Sequence, residues 1–188
     1  MTTLEAIRDA LPDYARDLKL NLGSVLSPTG SPGLSERQIW AVAVACATAS
    51  RNAEFTRQLE ALAAAHLDET YLNAARAAAA IMAMNNVYYR FLHLVEDPEY
   101  QRMPARLRMN VIGNPGIDKL DFELLSLAVS AINGCGACVV AHERQLRQHG
   151  VTREAIQSAV RIAATIHAVA RVAESGRSAA AEVAQAAA

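Results

Sequence analysis

The stretch from Leu34 to Asp97 contains neither glycine nor proline. These two residues are the strongest breakers of regular structure, so their absence predicts a series of helices separated by short polar interruptions. Alanine is unusually common along the chain, and aromatic residues make up only 5% of it. Because alanine has the highest helix propensity, the sequence predicts an all-α protein folded as a compact multi-helix bundle.

Apolar residues at helical spacing, together with capping and breaking residues, locate the individual helices. Pro12 separates two short helices near the N-terminus, and Gly23 is expected to end the second. Ser35 and Gln38 form a capping-box pattern at the start of the next helix. Proline and glycine make the region 98–116 the most broken part of the chain. The expected helices are roughly 4–11, 14–22, 36–50, 53–66, 68–95, 118–133, 135–149 and 152–172.

At 188 residues the chain is long enough for one domain with a real core, and we expect a single domain spanning 1–188. The broken middle region suggests two helical halves, 35–97 and 117–174. The halves show weak similarity, since Ala43–Ser50 lines up with Ala128–Cys135. Two explanations of this similarity are open: an internal duplication, or the chance alignment of alanine-rich helices.

Composition limits the partners and the location of the protein. The formal net charge of −1 lacks the basic surplus that nucleic-acid binding requires. No apolar run approaches the ~20 residues of a membrane span, and the N-terminus has neither the basic nor the apolar region of a signal peptide. The sequence therefore predicts a cytoplasmic protein. A hydrophobic content of 52% also fits a chain that buries an interface in a homo-oligomer.

The chemistry of the chain is concentrated in one segment that contains two of its three cysteines. Cys135 and Cys138 have the spacing Cys-x-x-Cys, His142 follows four residues after the second, and Glu123 lies twelve residues before the first. In a reducing cytosol such a pair is more often catalytic or metal-binding than a structural disulfide. We therefore interpret the segment as a redox site.

The expected positions of the helices indicate how the thiols of this site could be activated. If Cys135 begins a helix, the free backbone N–H groups and the helix dipole stabilise a thiolate there. Cys138 and His142 then lie on one face, so that the imidazole can take the proton of Cys138. Glu123 belongs to the preceding helix and reaches His142 only if the two helices pack suitably. A carboxylate in that position would fix the imidazole tautomer and relay protons.

Other interpretations of these residues stay open. Cys135, Cys138 and His142 could ligate a metal in a metal-binding or redox-sensing regulator, although no second pair has zinc-site spacing. The cysteines could also be incidental to a non-catalytic assembly module. Glu123 taken alone is more often a solvated residue near a helix N-terminus.

The remaining reactive residues are expected to be structural. Cys46 lies in an apolar helix and is predicted to be in the core. Four histidines, at positions 66, 93, 149 and 167, have no partner in register. Asn85 and Asn86 belong to a patch of Met, Asn and Tyr residues at the end of a buried run. Adjacent buried asparagines need hydrogen-bond partners, so this patch is expected to brace the site or a contact between protomers.

The segment Ala131-Ile-Asn-Gly-Cys-x-x-Cys-x-x-Ala-His142 resembles the active-site signature of the alkyl hydroperoxidase D family, within the carboxymuconolactone-decarboxylase-like superfamily. A lone Cys-x-x-Cys is a weak motif, but three flanking blocks in the same order also match. These blocks are Leu11–Asn21, Ala79–Arg90, and Arg108–Gly116 leading into Phe122-Glu123-Leu124.

The resemblance implies an all-helical protomer of a homotrimer that acts as a thiol peroxidase and disulfide reductase, with no bound metal, haem or flavin. It implies electrons from dihydrolipoamide on a lipoylated acyltransferase, which an NADH-dependent dihydrolipoamide dehydrogenase keeps reduced. The electron acceptors would be organic peroxides or a partner peroxiredoxin, the peroxidase component of alkyl hydroperoxide reductase. The family's site residues correspond to Glu123, Cys135, Cys138 and His142.

One position departs from the family pattern. Some members have a histidine immediately before the second cysteine, where this chain has Ala137. A proton relay through His142 and Glu123 remains available, but the departure puts full activity or the preferred donor in question. Cys138 is expected to attack the peroxide and Cys135 to resolve the sulfenic acid as a disulfide. Thioredoxin-like logic, in which the first cysteine is the more exposed one, gives the opposite order.

Overall fold

The computed structural model describes the backbone of residues 2–186 and the side chains of residues 2–175. Within these residues the chain forms ten α-helices and one 3₁₀ helix, with no strand, which confirms the all-α prediction. The helices are α1 (Leu4–Asp9), the 3₁₀ helix (Asp13–Ala15), α2 (Arg16–Val25), α3 (Glu36–Ala49), α4 (Ala53–Ala63), α5 (Glu69–Val95), α6 (Pro98–Arg102), α7 (Asn110–Gly113), α8 (Lys119–Ile132), α9 (Gly136–Gln148) and α10 (Arg153–Ala186).

The N-terminal helices differ from their predicted bounds. Pro12 separates them as expected, but α2 runs through Gly23 to Val25, so the prediction that Gly23 ends the helix is wrong. Glycine inside a helix costs about 1 kcal/mol relative to alanine. Two nearby side chains of the same helix, Leu22 and Val25, are buried in the core, and their burial offsets that cost.

Helix α3 lies at the centre of the bundle. Its predicted capping box is present, because Ser35 Oγ accepts a hydrogen bond from the Gln38 backbone N–H and Gln38 Oε1 accepts one from the Ser35 N–H. The helix is buried without interruption from Ile39 to Ala47, which includes Cys46 as predicted. It packs against α4, α5, α8 and α10.

The loop after α4 shows a contact that sequence spacing does not reveal. Helix α4 ends at Ala63, before the predicted end at 66, and the chain then turns so that His66 stacks on Trp40 of α3. The ring centroids are 4.7 Å apart with an interplanar angle of 6°. Glu36 Oε1 is 3.3 Å from His66 Nδ1. His66 has no partner in register on its own helix, as predicted, and its two partners belong to another helix, which gives it a structural role.

Helices from both sides of the broken middle region share one hydrophobic core. Helix α8 packs against α3 and α5, and α10 packs against α3. Helices α3, α4 and α5 have 14, 11 and 27 residues, and α8, α9 and α10 follow with 14, 13 and 34. In both halves the last helix is by far the longest, and the descent of the two halves from one duplicated unit stays a prediction.

The last two helices meet at a predicted glycine. Gly150 follows α9 with φ of +86°, and Thr152 Oγ1 accepts a hydrogen bond from Ala155 N–H at the start of α10. Helix α10 continues to Ala186, well past its predicted end near residue 172. The alanine-rich composition of that extension has high helix propensity. In the described part of the chain, no helix is both long and apolar enough to cross a membrane.

Candidate active site

The corner between α8 and α9 places Cys135 at a helix start. Asn133 ends α8, Gly134 adopts φ of +68°, and the Cys135 N–H returns to the Ser130 carbonyl at 3.1 Å. Only glycine adopts such a φ without strain, which explains the Asn-Gly sequence at the turn. Cys135 is the N-cap of α9, and Cys138 lies in the first turn, as predicted.

The two thiols are joined at this helix start. The sulfur atoms of Cys135 and Cys138 are 2.08 Å apart, a covalent disulfide distance. Cys135 Sγ also accepts a hydrogen bond from the Cys138 N–H at 3.3 Å. Cys135 is fully buried, whereas 7% of Cys138 remains exposed. The second cysteine is therefore the one that solvent reaches first.

Helices α8 and α9 pack so that Glu123 reaches His142. Glu123 Oε2 is 2.6 Å from His142 Nδ1, a short hydrogen bond between side chains that are 20% and 15% exposed. The condition set by the sequence, that the two helices pack suitably, is met. Since Nδ1 is engaged by the carboxylate, the other ring nitrogen, Nε2, is the one available for chemistry.

Cys138 and His142 line the same small cavity, of about 260 Å³. Their common face follows from the four-residue spacing on α9. Most other lining side chains are apolar and come from α5, from the 103–118 connection and from α9. The full lining is Met82, Asn85, Tyr89, Met109, Ile112, Ala137, Cys138, Ala141 and His142.

Helix α5 also braces the corner from behind. Asn86 Nδ2 donates to Ser130 Oγ at 2.9 Å, and Asn86 Oδ1 accepts from Asn133 Nδ2 at 2.9 Å. Arg90 Nη1 donates to the Asn133 carbonyl at 2.7 Å. The prediction that Asn86 braces the site is confirmed. The part played by Arg90 was missed, and its position one turn after Asn86 was the available signal.

Asn85 behaves differently from its neighbour. It is 4% exposed, and its Oδ1 has no hydrogen-bond partner among the described residues. The expectation that both buried asparagines have hydrogen-bond partners is therefore wrong for the Oδ1 atom of Asn85. The reason is geometric, because successive residues of a helix point about 100° apart and Asn85 faces the cavity while Asn86 faces α8.

Larger clefts occur elsewhere in the described structure. One, of about 660 Å³, lies between α1, α4 and α10, and another, of about 520 Å³, lies beside the end of α3. Neither is lined by a cysteine. Since redox chemistry needs the thiols, the smaller cavity is the candidate active site despite its size.

The arrangement does not favour the metal-site alternative. Among the described residues, no group of three or more histidine, cysteine and acidic side chains is placed to hold a metal ion. His142 is engaged by Glu123, and the two cysteine sulfurs are bonded to each other. The geometry suits a thiol that cycles between reduced and disulfide states, with an imidazole and a carboxylate to move protons.

The sequence of this chain was compared with those of known proteins, and it matches a protein family. Residues 98–182 match the model of the carboxymuconolactone decarboxylase family. The chain is 58% identical over 170 residues to the alkyl hydroperoxide reductase AhpD of Rhodospirillum centenum, covering 90% of each chain.

Two further relatives bear the same name. The alkyl hydroperoxide reductase AhpD of Coxiella burnetii (strain Dugway 5J108-111) is 57% identical over 169 residues, which are 90% of this chain and 96% of the relative. The protein of that name from Frankia alni is 57% identical over 168 residues, 89% of each chain. Similarity at this level extends over almost the whole described fold.

Proposed function

The chain belongs to the alkyl hydroperoxide reductase AhpD family, and from this membership we propose that it is an antioxidant enzyme that reduces alkyl hydroperoxides through a Cys135–Cys138 dithiol/disulfide cycle. The observation that carries the proposal is the shared cavity of Cys138 and His142, with His142 held by Glu123 and Cys135 within bonding distance of Cys138. The four residues of the cycle are thus adjacent in space.

In the oxidative step, Cys138 is the attacking residue. His142 takes the proton of the Cys138 thiol, and the thiolate forms a bond to the terminal oxygen of the hydroperoxide. The O–O bond breaks, its electron pair leaves with the alkoxide, and the alkoxide takes the proton from His142 as it departs as an alcohol. Cys138 is left as a sulfenic acid, oxidised by two electrons. The apolar cavity walls suit the alkyl group of such a substrate.

The resolving step falls to Cys135. Its sulfur attacks the sulfenic sulfur of Cys138 and gives up the thiol proton, and the S–O bond breaks so that the hydroxyl group leaves with one proton as water and the disulfide forms. The order is supported by exposure, since Cys138 lines the cavity and Cys135 is fully buried. The thioredoxin-like order would require a peroxide to reach the buried sulfur first.

In the reductive step, a dithiol returns the enzyme to its starting state. We propose dihydrolipoamide as the donor, carried by a lipoylated acyltransferase and regenerated by an NADH-dependent dihydrolipoamide dehydrogenase. One donor thiolate attacks the disulfide and the second resolves the mixed disulfide, so that two electrons and two protons pass to the cysteines. The peroxiredoxin component of alkyl hydroperoxide reductase is the proposed protein acceptor for electrons in the same cycle.

The relay in this chain operates without a histidine at position 137. Ala137 lines the cavity and contributes no proton-transfer group. His142 and Glu123 are the ionisable pair in contact with each other beside Cys138, so the proposed mechanism assigns the whole proton relay to them. A variant that places histidine at this position tests whether a second relay group adds rate.

We propose that the chain assembles as a homotrimer. Support comes from exposed apolar side chains near the end of α5 and in the segment after α6. Leu94 is 70% exposed, Met103 58% and Phe91 44%. Exposed apolar residues concentrated in one region are typical of an interface between protomers. Sedimentation equilibrium of the purified protein measures the mass directly, and a monomer would contradict the assembly.

The decisive experiment is turnover of an alkyl hydroperoxide with dihydrolipoamide as the sole electron donor, compared with thioredoxin. We expect turnover with dihydrolipoamide that is abolished in Cys138→Ser. Absence of turnover by the unmodified protein with either donor would contradict the proposed activity, and turnover with thioredoxin alone would contradict the proposed donor.

The identity of the attacking cysteine is tested separately. A sulfenic-acid trap, such as dimedone, is added with peroxide to reduced Cys135→Ser and to reduced Cys138→Ser. We expect a trapped adduct only in Cys135→Ser, which retains Cys138. An adduct formed only in Cys138→Ser would reverse the assignment of the two cysteines.

A further inference from the structure

One polar group in the cavity is not used by the mechanism above. Asn85 Oδ1 is the single buried side-chain oxygen or nitrogen without a hydrogen-bond partner in the part of the chain whose side chains are described. A buried acceptor left unpaired costs stability, because the group loses its hydrogen bond to water and gains none in return. Such groups are few in native proteins, and each needs a reason.

The neighbouring residue shows that the fold can satisfy a buried carboxamide here. Asn86 makes hydrogen bonds to both Ser130 and Asn133. The same helix therefore carries one asparagine that is fully integrated into the structure and one that is not. Packing alone does not require a polar residue at position 85, where leucine has a similar volume and no unpaired atom.

The position of Asn85 supplies a reason. It lines the cavity together with Cys138 and His142, and most of the other lining side chains are methionine, isoleucine and alanine. The hydroxyl of the cavity's Tyr89 already contacts Met109 Sδ, at 3.8 Å. That contact uses the donor hydrogen of Tyr89, and Asn85 Oδ1 is the buried neutral acceptor that has no partner in this largely apolar site. In ligand sites, a few polar groups of this kind fix the orientation of the bound molecule.

We infer that Asn85 is a substrate-binding residue whose Oδ1 accepts the hydrogen bond of the hydroperoxide O–H. This inference rests on the proposed function. The terminal oxygen that carries this hydrogen is the atom attacked by Cys138. When the S–O bond forms and the O–O bond breaks, the O–H group moves to Cys138 as part of the sulfenic acid. The hydrogen stays on its oxygen throughout, so Asn85 can hold it before and after the transfer.

The proposed hydrogen bond should affect oxidation of the enzyme by the hydroperoxide but not reduction of its disulfide by the dithiol. A hydroperoxide has one strong O–H donor, whereas a dithiol offers only weak S–H donors. Asn85 therefore assists the oxidative step and contributes little to the reduction of the disulfide. This division separates a role in substrate binding from a general structural role, which would affect both half-reactions.

The test measures the two half-reactions in Asn85→Leu and Asn85→Ala. Stopped-flow oxidation of the reduced enzyme by tert-butyl hydroperoxide is expected to slow by about three- to tenfold in both variants, the value of one neutral hydrogen bond. Reduction of the disulfide enzyme by dihydrolipoamide should change less than twofold. The Tm of Asn85→Leu should rise by about 2–8 °C, since an unpaired buried group is removed.

Asn86→Leu is the matched control for stability. It should lower Tm, because it leaves Ser130 and Asn133 without their partner. The inference is overturned if Asn85→Leu also lowers Tm, if both half-reactions slow equally, or if oxidation slows in Asn85→Leu but not in Asn85→Ala, which would show a steric effect.

The unmodified enzyme separates this inference from the proposed function. If its dithiol form does not react with the hydroperoxide, both are wrong. If it reacts and the two Asn85 variants react equally fast, the proposed function stands and the inference about Asn85 alone fails.

Discussion

Replacing Glu123 by glutamine removes the charge that contacts His142 and keeps the shape of the side chain. The carboxylate lies 2.6 Å from His142 Nδ1, and both side chains are largely buried, with 20% and 15% exposed. When Cys138 gives its proton to His142, the imidazole becomes positively charged. The Glu123 carboxylate stabilises that charge, and the neutral amide of glutamine does not.

The structure sets the size of the effect. Two unit charges 2.6 Å apart attract by about 6 kcal/mol at an effective dielectric constant near 20 and by about 1.6 kcal/mol in water. Desolvation offsets much of this, and the net value of a hydrogen bond to a charged group is about 1.5–3 kcal/mol. We therefore expect Glu123→Gln to slow oxidation of the reduced enzyme by hydroperoxide about tenfold to a hundredfold.

The assay is single-turnover oxidation of the reduced enzyme, followed by stopped flow at several hydroperoxide concentrations. Glu143→Gln is the matched control, since it makes the same chemical change at the residue next to His142, and Glu143 lines a separate surface pocket on the outer side of α9. We expect the control to react within twofold of the unmodified enzyme. Glutamine can still accept a hydrogen bond from His142, so Tm should fall by only about 2–4 °C.

Two results would refute this reasoning. Equal oxidation rates for Glu123→Gln and the unmodified enzyme would show that the carboxylate does not assist the proton transfer. Equal losses in Glu123→Gln and Glu143→Gln would show that the effect depends on the net charge of the surface near α9 rather than on the contact with His142.

Two further predictions concern stability and thiol reactivity. Gly134→Ala should destabilise the fold by about 1–2 kcal/mol in thermal unfolding, and the cost comes from its φ of +68° alone, since a Cβ there would meet no atom within 4 Å. Gly136→Ala is equally unobstructed but lies in the first turn of α9, so it should leave stability unchanged or raise it. Equal effects of the two substitutions would contradict the backbone explanation. Burial raises the pKa of the Cys46 thiol far above its usual range, so Cys46 stays protonated at pH 8. Iodoacetamide should therefore label Cys138 but not Cys46 in the reduced native protein, as read by mass spectrometry, and labelling of both at similar rates would refute this.

Features that depend on neighbouring residues in the chain could be predicted from the sequence. The Ser35 capping box, the Asn133-Gly134 turn and the placement of Cys135 at a helix start all follow from residue types at fixed short spacings. The shared face of Cys138 and His142 follows from the helical repeat in the same way.

Features that depend on packing between distant segments could not be predicted. The sequence predicts only that Glu123 lies on the helix before the one that carries His142. The contact between their side chains requires α9 to pack antiparallel against α8. The stacking of His66 on Trp40 is likewise a contact between separate elements. The different fates of Asn85 and Asn86 depend on which helix or cavity each faces, which adjacent positions in a sequence do not specify.

Because α5 forms one wall of the cavity, the redox site cannot be transferred to another protein by moving its thiols alone. The family match at 98–182 contains both cysteines, His142 and Glu123, whereas Met82, Asn85 and Tyr89 precede it in the chain. A peptide cut to the matched segment would carry the thiols and the proton relay without the surface against which a substrate rests. If the Cys-x-x-Cys corner is grafted onto another pair of helices, a third helix must therefore be supplied to form the cavity wall. Without it, the disulfide can still form and break, but the site has no surface that selects among substrates.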